Sequence, residues 1–116
     1  MHINERLVEG VTILDLNGTL TLGAGDAVLK DKFHTLVHEG RRNFLLNLGS
    51  VPYVDSTGIS EIIGAYTTAK RASGHLKLLN VPKRIHDLLV MTKLLTVFET
   101  FDGETEAVRS FSTPKA

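Results

Sequence analysis

Asp55-Ser56-Thr57-Gly58 puts a carboxylate, two hydroxyls and a glycine in four consecutive positions, between an apolar run and a helical stripe. At a helix N-terminus the backbone N–H groups lack intrahelical partners, and the dipole favours negative charge. A phosphate ester formed there needs no unfolding to be accommodated. The plainest role for Asp55 or Ser56 is a helix cap, since Asp and Ser are routine at helix starts. Cap and phosphoacceptor are compatible: with Asp55 capping, Ser56 falls in the first turn and its hydroxyl is left to point outward.

Other chemistries fit less well. A hydrolase elbow requires G-x-S-x-G, and this site reads Val54-Asp55-Ser56-Thr57-Gly58. An aspartic-protease carboxylate requires glycine directly after Ser or Thr, but Thr57 intervenes. The five histidines, at 2, 34, 38, 75 and 86, include one i, i+4 pair, His34 and His38. That pair lacks the acid of an H-E-x-x-H metal motif and reads as an exposed helix face. Gly18, Gly23 and Gly25 loosen one loop without forming a nucleotide-phosphate fingerprint. No metal, cofactor or catalytic residue is expected, and the chain does not read as an enzyme.

Charge and composition narrow the partners. Thirteen basic residues balance thirteen acidic ones among 116, so there is no electrostatic footprint for nucleic acid or anionic lipid. Cysteine is absent, which excludes disulfides and thiolate zinc sites. Met1-His2-Ile3-Asn4-Glu5-Arg6 has an acid where the apolar stretch of a signal peptide should begin, and no run reaches the length of a membrane span. The expectation is a cytoplasmic protein without membrane insertion.

The elements that must hold the tetrad follow from periodicity. Ile3–Val8 and Val11–Asn17 read as strands joined by Glu9-Gly10, an antiparallel hairpin. Asp26 is placed to cap a helix to Glu39, with Leu29, Phe33, Leu36 and Val37 inward and Gly40 ending it. Asn43–Leu48 has the apolar density of a central strand covered on both faces. The helix after the tetrad carries Ile59, Ile62, Ile63, Tyr66 and Ala69. His75–Asn80 is a strand, Pro82 opens a helix with Ile85, Leu88 and Leu89 inward, and Val97–Phe101 is a last strand. Asp102 is placed to cap a final helix, Glu104–Phe111, and residues 112–116 should fray. The order ββαβαβαβα implies one α/β domain over residues 1–116, with a mostly parallel mixed sheet and helices packed against it.

Val54-Asp55-Ser56-Thr57-Gly58-Ile59 after strand Phe44–Leu48, together with this element order and length, resembles the STAS domain of bacterial anti-sigma factor antagonists. The resemblance covers nearly the whole chain. It implies that Ser56 is phosphorylated by a partner anti-sigma factor that is a serine kinase. The unphosphorylated protein would sequester that kinase, phosphorylation would release it, and a serine phosphatase would reset phospho-Ser56. It also implies a partner-binding surface of Thr21, Leu22, Asp55, Ser56, Thr57, Gly58, Ile59 and Ile62, because the loop after the second strand shares an end of the sheet with the tetrad. For Ile59 and Ile62 the alternative is the core. Two departures stand out: Gly18-Thr19-Leu20-Thr21 is neutral where such antagonists carry acids, and Lys93 precedes Leu94 where they carry glycine. Two other readings of the same family stay open: a STAS scaffold subunit that assembles with other STAS proteins in a stress-signalling particle, and the soluble STAS subunit of a lipid-transport ATPase.

Overall fold

The computed structural model describes residues 1–112. A five-stranded sheet in the order β1-β2-β3-β4-β5 is built from β1 (His2–Val8), β2 (Val11–Asn17), β3 (Asn43–Ser50), β4 (His75–Leu79) and β5 (Thr100–Phe101). The first pair is antiparallel, with Val8 opposite Val11, as the Glu9-Gly10 turn requires. The remaining pairs are parallel, so the crossovers between them must carry helices. These are α1 (Asp26–His38), α2 (Ser56–Arg71) and α3 (Lys83–Met91). A fourth helix, α4 (Glu104–Ser112), follows β5.

Strand alternation sorts the core into two layers. Leu14, Leu16, Phe44, Leu46, Leu48, Leu76 and Leu78 meet the buried residues of α1, α2 and α3. On the opposite face Val11, Ile13, Leu45 and Leu79 meet Ala107 and Val108 of α4. This two-sided cover explains why β3 reads as a continuous apolar run. Two polar clasps hold α4 down. Arg6 bridges Asp15 and Glu104, each at 2.7 Å, and the buried Lys77 ammonium donates to the Ser110 carbonyl (3.1 Å) and hydroxyl (2.9 Å). Lys77 also pairs with Glu99 at 3.3 Å and lies 4.6 Å from the centre of the Phe111 ring, so burial does not leave its charge uncompensated.

Several element ends shift by one or two residues from the reading of the sequence, and four differences bear on the architecture. Asp26 is the first residue of α1 rather than its cap. Gly25 holds the cap position at φ 89°, and no side chain caps the helix. The last strand is only Thr100–Phe101, because Leu95–Val97 forms a 3-10 turn and Phe98 is buried in the main core. Asp102 is not the residue that starts α4; the Gly103 carbonyl accepts from the Ala107 N–H at 3.0 Å in the first turn. Ser112 belongs to α4, and the rest of the expected frayed tail, 113–116, lies outside the described residues.

Candidate functional site

The parallel strands β2, β3 and β4 deliver their carboxyl ends to one side of the molecule, where α/β folds commonly place ligand and partner sites. Two connections meet there: the loop from β2 to α1 and the segment from β3 to α2. Leu20 forms an isolated parallel bridge with Val54. The Leu20 N–H donates to the Tyr53 carbonyl at 3.1 Å, and the Asp55 N–H reaches the Leu20 carbonyl at 3.4 Å. Thr21 and Ala24 exchange both backbone hydrogen bonds, at 2.7 and 2.9 Å, which folds the loop tip into a tight turn.

Asp55 joins the two connections. One carboxylate oxygen, Oδ1, accepts from the Gly58 N–H at 2.8 Å, the N-cap bond of α2. The other, Oδ2, accepts from the Leu22 N–H at 3.1 Å. These two donors, Gly58 foremost, hold the carboxyl below the ordinary aspartate range, because both favour its charged form. Asp55 is therefore a cap and a latch in one residue.

Gly58 is fixed by the same approach of backbone to backbone. A Cβ at that position would lie 2.0 Å from the Leu20 carbonyl oxygen and 2.4 Å from Val54 Cγ2. No side chain fits there. The third residue of the helix must be glycine for the loop to lie against the helix start.

Ser56 is the first residue of α2 and is exposed. Its carbonyl accepts from the Ser60 hydroxyl at 2.9 Å, while its own hydroxyl has no hydrogen-bond partner among the described residues. Thr57 and Thr21 are half-buried, and Leu22 is 74% exposed. The structure thus brings Thr21, Leu22, Asp55, Ser56 and Thr57 together. The other three expected contact residues, Gly58, Ile59 and Ile62, are all buried, and both isoleucines belong to the main core, the alternative left open for them. The helical period puts positions 58, 59, 62, 65 and 69 on the sheet side, so neither isoleucine offers an apolar surface to a partner.

Sequence reasoning passed over Tyr53, which is 47% exposed next to the cap. Its ring lies 5.9 Å from the guanidinium carbon of Arg84 on α3. An aromatic just before the tetrad was the available signal; nothing in the spacing tied it to position 84. His34 and His38 are both exposed on α1, and among the described residues no cluster of three or more His, Asp or Glu could hold a metal ion. No helix among the described residues is long and apolar enough to cross a membrane.

The site is thus a carboxylate-capped helix presenting a serine at the carboxyl ends of the parallel strands, in a mixed sheet opened by a hairpin. The chain belongs to the STAS domain family, whose model matches residues 2–107. It is similar to the anti-sigma F factor antagonist of Paenibacillus polymyxa, 26% identical over 99 residues and covering 85% of each chain. Two solved structures share the fold. The Bacillus cell fate determinant SpoIIAA in its phosphorylated form superposes with a TM-score of 0.74 at 17% identity, over 94% of this chain and 98% of that one. An anti-sigma-factor antagonist STAS protein from Planctomyces limnophilus superposes with a TM-score of 0.84 at 16% identity, over 96% and 98%.

Proposed function

We propose that this protein is an anti-sigma factor antagonist, a binding switch set by phosphorylation of Ser56. Unphosphorylated, it sequesters an anti-sigma factor that is also a serine kinase. Phosphorylated, it lets that partner go, and a serine phosphatase returns it to the binding form. The observation that carries this reading is the division of labour in the tetrad. Asp55 takes the capping and latching bonds, and the Ser56 hydroxyl beside it stays exposed and unengaged. The relatives named as anti-sigma factor antagonists support the choice of partner.

The switch needs no rearrangement of the fold. A phosphoserine adds about −1.5 to −2 charges near neutral pH, next to an Asp55 carboxylate that is already ionised. On the free surface water solvates that charge. Within an interface, an unpaired buried charge costs about 2–5 kcal/mol, roughly 30-fold to several-thousand-fold in affinity. Exclusion at the interface is therefore sufficient to release a partner.

Affinity capture with the purified protein, followed by mapping of phosphate on the recovered bait, tests the reading. The expected outcome is a kinase bound to the unphosphorylated form and phosphate on Ser56. Phosphate on Thr57 alone would move the acceptor by one residue. Recovery of a large STAS assembly or of a membrane ATPase in place of a kinase would replace the switch with one of the two other family roles.

A further inference from the structure

We infer that Tyr53 and Arg84 form a second contact point of the partner surface, one that receives an acidic group of the bound anti-sigma factor. The inference rests on the reading above and extends the surface from the β2–α1 loop and α2 onto α3. The contacts are continuous. Leu22 is hydrogen-bonded to Asp55, Leu20 to the Tyr53 carbonyl, and the Tyr53 ring faces Arg84. Leu22 and Tyr53 are two of the few large apolar side chains left exposed, and tyrosine and arginine are the residue types that most often dominate binding energy.

Charge selects the occupant. Arg84 lies in the first turn of α3, which has no acidic residue there. A cation at that end is disfavoured by the helix dipole, so Arg84 does not serve the helix. Its neighbour Lys83 pairs with Asp87 at 3.4 Å, whereas Arg84 has no carboxylate partner among the described residues. The Tyr53 ring orients the guanidinium and leaves its N–H groups available to a carboxylate. Elsewhere on this rim Thr19, Thr21 and Thr57 are neutral, and the Asp55 anion is engaged by two N–H donors of the fold. Arg84 is thus an exposed cation here whose charge the fold does not pair with a carboxylate among the described residues. A phosphate on Ser56 adds negative charge to the same surface and opposes the acidic group that Arg84 attracts.

The test is a binding titration of the anti-sigma factor of the same organism against wild type, Ser56→Asp and Arg84→Glu, at low and high salt. A glutamate in the first turn of α3 suits the dipole, so Arg84→Glu should fold at least as well as wild type. Arg84→Glu is expected to weaken binding by about tenfold or more at low salt, with the loss shrinking as salt screens the rim. If wild type binds, Ser56→Asp does not, and Arg84→Glu stays within about twofold of wild type, the contact point is wrong and the switch stands. If wild type fails to bind, the switch falls and the contact point with it.

Discussion

Asp55 and Ser56 are adjacent, chemically similar in size, and given opposite tasks. The aspartate is spent on structure: it satisfies the third N–H of α2 and reaches across to Leu22. The serine is spent on nothing within the fold, and that leaves it available for modification. The arrangement depends on Gly58, whose missing side chain is where Leu20 and Val54 press against the helix. Gly58→Ala should therefore destabilise the protein by about 3 kcal/mol or more through backbone overlap, measurable as a lower urea midpoint with the slope unchanged. It should also weaken partner capture, because the Leu22 loop is displaced. Equal stability of Gly58→Ala and wild type would mean that the loop does not lie against the helix. The cap and the exposed serine were legible in the residue types alone, since Asp and Ser at a helix start have limited roles. The latch to Leu22 was not legible, because 33 residues separate its two ends and only the parallel bridge brings them together.

At the level of elements, each strand and helix with a clear period sits where the pattern put it. The failures fall where apolar spacing conflicts with connection geometry. Val97–Phe101 looks like a strand, yet Phe98 turns into the core against the Tyr66 ring, 5.2 Å away, and leaves two residues to pair with β4. Asp26 looks like a cap, yet the β2–α1 loop needs a left-handed residue there, and Gly25 takes the position. The C-terminus of α3 carries a comparable conflict that remains in the protein. Lys93 sits at φ 60°, with its N–H donating to the Val90 carbonyl at 3.1 Å and the next N–H to the Leu89 carbonyl at 2.8 Å. That is the glycine position of a Schellman end. Lys93→Gly should relieve about 1 kcal/mol of left-handed strain and raise the melting temperature by about 4 °C. An unchanged or lower melting temperature in differential scanning calorimetry would show that lysine is not strained there.

Across the molecule, the sheet separates two kinds of cover. Three helices bury the larger core and bring their first turns towards the side that carries the tetrad, while α4 closes the other face through Arg6, Asp15, Glu104 and Lys77. The Arg6 guanidinium, followed by Asn47, holds the Asp15 carboxyl below the ordinary range, and Asp55 is held low by its backbone donors. For a group whose folded pKa is depressed, the stabilisation is complete above the unfolded value, about pH 4, and is lost as pH falls through the folded value. Stability should thus decline below about pH 4, and Asp15→Asn should flatten that acid limb in urea titrations at stepped pH. An unaltered limb would place the acid sensitivity elsewhere. None of this network was visible from composition, because Arg6, Asp15 and Glu104 look like ordinary surface charges until the hairpin and the last helix converge.

The central claim is that charge on one hydroxyl decides whether this surface binds. It is tested most directly by the affinity of the anti-sigma factor for three forms of the protein: unmodified, stoichiometrically phosphorylated on Ser56, and Ser56→Ala. The account expects Ser56→Ala to bind like the unmodified form and to resist phosphorylation, and the phosphorylated form to bind about 30-fold or more weakly. Equal affinity for the unmodified and phosphorylated forms would contradict it.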